Sequence, residues 1–270
     1  MLRTIGETVK AHGAQGRKTL VAYVTAGDPH LQFTHDIIVE LEKTGVDIIE
    51  LGVPFSHPVG DGPTIQRSAK RALENQVSMV DILHLVGQLR QEGIQLPIVL
   101  FSYHNPVFSY GYEALAREAV KVGVSGVLVV DLPPEESGEY RSSLNDAGID
   151  TVFLATPMTA TDRLPLVRKA ASGFCYYVSR AGVTGGNQDL SASLANELAH
   201  VKDFISIPVF VGFAIRTAEH VRTISKIADG VIVGSAFVDC IERAASESEA
   251  IEQIKALTTT LRQALDESVS

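Results

Sequence analysis

The chain has 270 residues, a formal net charge of -9 and 45% hydrophobic residues. That acidity argues against nucleic acid or anionic membranes as partners, although backbone amides can still hold a phosphate locally. Cys175 and Cys240 form no CxxC pair and fit a reducing cytosol, Cys175 as a small core residue.

The first residues, Met1 to Ile5, lack the apolar core of a signal peptide. No apolar run reaches the ~20 residues of a membrane span, so a cytoplasmic protein is expected. Leu2, Ile5 and Val9 predict a helix ahead of the first strand, placed to cover the bottom of a barrel. After an apolar run at 20–25, Asp28-Pro29 reads as an N-cap followed by proline at the first helical position. Phe33, Ile37, Ile38 and Leu41 then share one face, and Gly45 ends the helix. A second run, 47–52, enters a loop rich in Gly and Pro. Val80, Leu83, Val86 and Leu89 repeat the helical pattern before a run at 97–102. Further runs follow at 126–131, 150–155, 174–179, 208–213 and 230–234, and a final helix is expected over 244–265. Glu252 and Arg262 on that helix read as a solvated face. The eight runs are continuous and rich in Val and Ile, the pattern of strands buried on both faces. Eight such strands alternating with helices predict a single (β/α)8 TIM barrel with an extra N-terminal helix, one domain over 1–270.

In that fold the site lies at the C-terminal strand ends. There the sequence places Tyr23 and Thr25, Glu50, Tyr103, Asp131, Tyr176, Phe213, and Gly234 with Ser235. Glu50 closes an apolar strand, where a carboxyl group carries a desolvation cost and so needs a reason. Asp61 follows in the loop, and two carboxyl groups in one pocket can divide acid and base work. Asp61 before Gly62 also suits a plain turn. No lysine falls at a strand end, which disfavours Schiff-base chemistry. His57 and His104 read as polar loop surface rather than metal ligands. Glycine-bearing segments at 179–186, 211–215 and 233–236 suit a phosphate site, or simply tight turns. Gly185-Gly186-Asn187 suits a lid, or an ordinary surface loop.

The string ELGVPFS beginning at Glu50, DGP at Asp61, SRAGVTG at Ser179, Gly212-Phe213-Ala214-Ile215 and Gly234-Ser235-Ala236 occur in that order. Together they resemble the tryptophan synthase alpha-chain family over essentially the whole barrel. The resemblance implies a lyase that splits indole-3-glycerol phosphate into indole and glyceraldehyde 3-phosphate. It implies a beta-chain partner in an alpha2beta2 heterotetramer, with pyridoxal phosphate carried by that partner and no cofactor or metal in this chain. By motif, Glu50 and Asp61 match the two catalytic acids. Gly185, Ala214, Gly234 and Ser235 match phosphate contacts. Tyr23, Phe101, Leu128, Leu154, Tyr176, Phe213 and Ile232 fall in the substrate pocket. Thr184 falls in the lid. Read from their own positions rather than by motif, Asp131 orients a loop or the lid, and Tyr103 lines the pocket or supports the loop.

Three residues depart from the family pattern: His57 replaces Asp, Gly60 replaces Ala, and Ala214 replaces Gly. Ala214 keeps its amide for phosphate if its φ is negative. His57 bears on the partner more than on the chemistry. A noncatalytic subunit that binds phosphate and activates a beta chain is the alternative reading.

Overall fold

A computed structural model of the chain describes residues 4–179, 188–212 and 214–267. Eight parallel strands close into a barrel in sequence order: β1 (Thr19–Thr25), β2 (Ile48–Gly52), β3 (Ile98–Ser102), β4 (Gly126–Val129), β5 (Asp150–Ala155), β6 (Cys175–Val178), β7 (Val209–Gly212) and β8 (Gly230–Val233). The described helices are α1 (Ile5–Ala14), α2 (Leu31–Thr44), α3 (Pro63–Glu74), α4 (Met79–Gln91), α5 (His104–Tyr110), α6 (Tyr112–Val122), α7 (Gly138–Asp146), α8 (Leu164–Ala170), α9 (Gln188–Phe204), α10 (Ala218–Ser225), α11 (Ser235–Arg243) and α12 (Glu247–Glu267). None is long and apolar enough to cross a membrane.

Strand alternation sorts the core into two shells. Leu20, Ala22, Val24, Ile49 and Leu51 face outward and pack with helix residues such as Ile37, Ile38 and Leu41. Val21, Ile48, Val99, Leu128, Val152, Phe174, Phe210 and Ile232 face inward and fill the barrel. Phe174 and Phe210 stack there with centroids 4.4 Å apart. The predicted N-terminal helix is α1. Its Ile5 is fully buried in the inner shell and approaches strand residue Gly126, whose missing side chain leaves the space.

Three expectations change. Helix α2 begins at Leu31 and is capped by His30, whose Nδ1 accepts from the Phe33 amide; Asp28 is not its cap. Asp28 instead takes a two-pronged bond from Arg71 of α3 at 2.7 and 2.8 Å, a geometry the guanidinium fork suits. Val80 points outward at 60% exposure, while Leu83, Val86 and Leu89 are buried as expected.

The expected final helix is α12, but Arg262 on it is not on a solvated face. It lies buried at 8% exposure against the N-terminal end of the barrel. Its Nη1 meets Asp47 Oδ2 at 2.9 Å, and its Nη2 donates to the Lys18 carbonyl and to Asp266. Asp47 also accepts from the Leu20 amide and faces Arg17 and His12. This cluster ties α12 to β1, β2 and the region after α1. Helical periodicity alone does not reveal it, because the partner carboxylate is 215 residues away. Arg262→Met is expected to lower stability by about 3 kcal/mol in urea denaturation, since it strips a buried carboxylate of a charged partner. Glu252→Ala, on the exposed side of α12, should stay within about 0.5 kcal/mol of wild type.

Candidate active site

Alternation along β2 positions the first acid. Ile48 faces the inner core, so Glu50, two residues on, faces the same way one layer higher. It sits opposite Tyr23 on β1 and Val99 on β3. Above it the layer is closed by Gly52, and the absence of a side chain there is required. A Cβ on Gly52 would lie 2.2 Å from the Tyr23 hydroxyl oxygen. Across the barrel Gly212 makes the same space for the hydroxyl of Tyr176. Two strand-end glycines thus lodge two tyrosine hydroxyls.

The Tyr23 hydroxyl has a determined direction. Ser68 of α3 donates to the Ile65 carbonyl at 2.8 Å, which uses its one hydrogen. Ser68 therefore accepts from Thr25 at 2.6 Å, and Thr25 accepts from Tyr23 at 3.2 Å. Tyr23 keeps its remaining acceptor capacity. Its ring stands edge-on to Phe101, 5.3 Å between centroids.

The second acid is set by the loop that joins β2 to α3. Asp61 sits just before the α3 N-cap Gly62 and the helix's first residue, Pro63. The loop is braced by the Asp61 amide donating to the Pro58 carbonyl and by Gln66 donating to the Asp61 carbonyl. Tyr103 holds the carboxylate. Its hydroxyl donates to Asp61 Oδ2 at 3.1 Å, accepts from the Gly60 amide at 2.9 Å, and its ring stacks on Phe55. A Cβ on Gly60 would lie 3.2 Å from that hydroxyl oxygen and 3.0 Å from Val130, so this departure from the family pattern bears on the Tyr103 contact. Asp131 acts one step further back: its Oδ1 accepts from the His104 amide at 2.6 Å and anchors the start of α5 beside Tyr103. His104 itself bonds the Tyr112 hydroxyl, and His57 bonds Ser56.

Glu50 and Asp61 line one cavity of about 470 Å³ at the C-terminal ends of the strands. Tyr23, Phe101, Leu154, Tyr176, Ile232, Ala214, Gly234 and Ser235 line it as well. Leu128 does not. It is fully buried in the inner core one layer deeper, and Val130, two residues further on, reaches the cavity instead. Phe213, Thr184 and Gly185 lie outside the described residues. Ala214 lines the cavity with φ of +58°, so the condition set for its amide to serve the phosphate, a negative φ, is not met. The turn keeps a left-handed conformation despite carrying a Cβ, at a cost of order 1 kcal/mol. Sequence reading missed Thr64, Thr156 and Arg216. Arg216 was detectable as the charged residue two positions beyond Ala214, past the strand end at which the inventory of site residues stopped. No group of three or more His, Cys, Asp or Glu able to hold a metal occurs among the described residues.

Environment separates the two acids. Burial alone pushes Glu50 from its ordinary 4.5 up to about 8. Its Oε1 is buried with no hydrogen-bond partner among the described residues. Burial also raises Asp61 to about 6, and the Tyr103 hydrogen bond restrains that rise. Glu50 is thus the acid of the pair that holds its proton more tightly, and Asp61 the one that ionises more readily.

With this geometry in place, likeness to known proteins is decisive. Residues 9–266 match the family model described as tryptophan synthase alpha chain. The chain belongs to the tryptophan synthase alpha-chain family. It is 45% identical over 249 residues to the tryptophan synthase alpha chain of Geobacter sp. (strain M21), covering 92% of each chain. It is 43% identical over 265 residues to that of Laribacter hongkongensis (strain HLHK9), covering 98% of this chain and all of the other. Among solved structures, tryptophan synthase subunit alpha from Legionella pneumophila str. Paris superposes with a TM-score of 0.91 at 34% identity, covering 99% of this chain and 100% of that one. For this family member, the eight-stranded barrel is the expected architecture.

The raised Glu50 has a consequence for folding that does not depend on activity. A carboxyl group that holds its proton more tightly when folded stabilises the fold most below its unfolded value, about 4.5, and that stability is lost as pH rises through about 8. Glu50→Gln removes the loss. Its urea midpoint should therefore exceed that of wild type by more at about pH 8 than at about pH 5.

Proposed function

We propose that this cavity is where the protein carries out its family's reaction, the cleavage of indole-3-glycerol phosphate to indole and glyceraldehyde 3-phosphate. The observation that carries this reading is the Glu50 carboxyl: buried, raised to about 8, and with an oxygen unpaired among the described residues in a cavity that Asp61 shares. A buried polar atom without a partner among the described residues calls for one from a ligand.

The bond to be broken joins indole C3 to the glycerol chain. Broken directly, it would leave its electron pair on a ring carbon with nothing to stabilise it. Protonation at C3 by Glu50 makes an indolenine cation that accepts that pair. Asp61, ionised, accepts a hydrogen bond from the indole N–H, and the bond strengthens as positive charge develops on nitrogen. The Glu50 carboxylate then takes the proton of the glycerol hydroxyl nearest the ring. The carbon–carbon bond breaks, its electrons return to the indole, and the hydroxyl carbon becomes the aldehyde. Glu50 ends protonated, as it began. Apolar walls at Phe101, Leu154 and Ile232 suit the indole ring.

The reading extends to partner and place. Family membership implies a beta chain. An alpha2beta2 assembly, pyridoxal phosphate in the beta chain and a cytoplasmic setting belong to this proposal. Large apolar side chains are exposed on three loops or helices following strands: Val59 at 86%, Phe108 at 63% and Met158 at 83%. All three lie at the barrel end that holds the cavity, and His57 is exposed beside them. That end suits a partner receiving indole from the cavity mouth.

Assayed with indole-3-glycerol phosphate alone, the wild type should release indole, and Glu50→Gln should lose about 10²–10⁴-fold in rate. Asp61→Asn should lose about 10²–10³-fold in kcat. Activity should fall below about pH 6 as Asp61 gains a proton and above about pH 8 as Glu50 loses one. Near wild-type cleavage by Glu50→Gln would overturn the assignment. Beta-chain stimulation without any cleavage by the wild type would instead support a noncatalytic subunit. Phe108→Asp should leave the isolated chain's rate unchanged and weaken beta-chain binding about tenfold or more, read by titration of the two chains.

A further inference from the structure

We propose that Arg216 is the phosphate-recognising side chain of this protein and that it fixes which way round the substrate lies. The inference rests on the reading of the cavity given above and names a residue that reading does not use.

The cavity has two chemically opposite poles. Glu50 and Asp61 stand at one. At the other, the ends of β7 and β8 bring together Ala214, Ile215, Arg216, Gly234 and Ser235. Among the described lining residues, Arg216 is the only Lys or Arg, in a chain whose net charge is -9. An anion entering this cavity is repelled at one end and met by a permanent cation at the other.

The guanidinium is held in place rather than loose. Its Nη2 donates to the Asp239 carboxylate of α11, and its Nη1 donates to Ser235 Oγ at 3.1 Å. Asp239 is 6% exposed and is steadied in turn by Thr64, which donates to its other oxygen at 3.3 Å. Arg243 stands 3.7 Å from the same carboxylate. Two guanidinium groups therefore face one carboxylate, leaving an excess of positive charge. A guanidinium carries five N–H donors, and the two contacts use two of them. Arg216 is 41% exposed at its side chain, so the remaining donors are accessible.

The Ser235 contact adds a second donor. An arginine N–H can only donate, so Ser235 Oγ accepts and its own hydrogen is left for another acceptor. Ser235 is the first residue of the nine-residue helix α11, where no side chain caps the terminus. The Phe237 and Val238 amides already bond the Gly234 carbonyl, leaving those of Ser235 and Ala236 at the open end. The orphaned Glu50 oxygen at the opposite pole is the independent sign that a ligand fills this cavity. A phosphomonoester dianion on a short polar chain, attached to an apolar ring, fits the two poles and the apolar middle.

The test uses the purified full chain and two probes that each report one pole: glycerol 3-phosphate and indole, titrated by calorimetry. Arg216→Gln should weaken glycerol 3-phosphate binding about tenfold or more, as loss of a charged hydrogen-bond donor does. Its dependence on salt should flatten, and indole binding should be unchanged. The KM for indole-3-glycerol phosphate should rise in proportion, with kcat within about threefold. Arg216→Lys should recover part of the loss. Unchanged glycerol 3-phosphate binding in Arg216→Gln would overturn the proposal. Equal loss of both probes would also overturn it, because Arg216 would then be a structural brace. Arg216-dependent glycerol 3-phosphate binding by a wild type that releases no indole would uphold the phosphate assignment and sink the catalytic one.

Discussion

The structure depends on one constraint: a closed barrel of parallel strands forces alternate side chains into its interior, layer upon layer, with no edge through which they can turn away. Ile48, Glu50 and Gly52 show its force on a single strand. The first fills the core, the second enters the cavity, and the third must be absent as a side chain so that Tyr23 can bring its hydroxyl across. Glu50 is held there at 1% exposure. Its high proton affinity follows from its place in the layer, with no neighbouring charge needed to explain it.

Around that carboxyl group the protein spends its polar contacts on loop geometry. Tyr103, Gly60 and Pro58 hold Asp61, while Asp131 anchors the turn that carries Tyr103. Ion pairs from Arg67 and Arg71 to Glu242, and from Arg71 to Asp28, lock α3 against α11 and the β1 end. Helix α3 begins two residues after Asp61, so these pairs steady the loop from behind. Glu50, by contrast, has an oxygen with no partner among the described residues in the same cavity. A fixed anion beside an unsatisfied acid is an arrangement that binding completes.

The same barrel end also carries exposed apolar surface. Exposed Val59, Phe108 and Met158 lie there, as does His57 in the position where the family pattern has an acid. The opposite end is occupied by Ile5 and by the Asp47–Arg262 cluster. Apolar layers lie between the two ends.

The sequence by itself determined the strands, the barrel and the place of Glu50, because apolar runs and an acid within one are local signals; Asp61, in a loop, was legible only through its motif. The same local reasoning failed wherever the partner lies far along the chain. Arg262 looked solvated until Asp47 was brought to it, and Asp28 looked like a cap until Arg71 reached it. Leu128 was placed one layer too high because alternation gives the face of a strand but not the depth of a cavity. The sign of φ at Ala214 stays open in the sequence, since nothing local to an alanine announces a left-handed turn. Arg216 could be read as a cation beyond a strand end, but only the tertiary structure decided that it faces Ser235 and Asp239 across the cavity from the acids. Backbone periodicity is written in neighbouring residues; the pairing of charges over hundreds of residues is set only when the barrel closes.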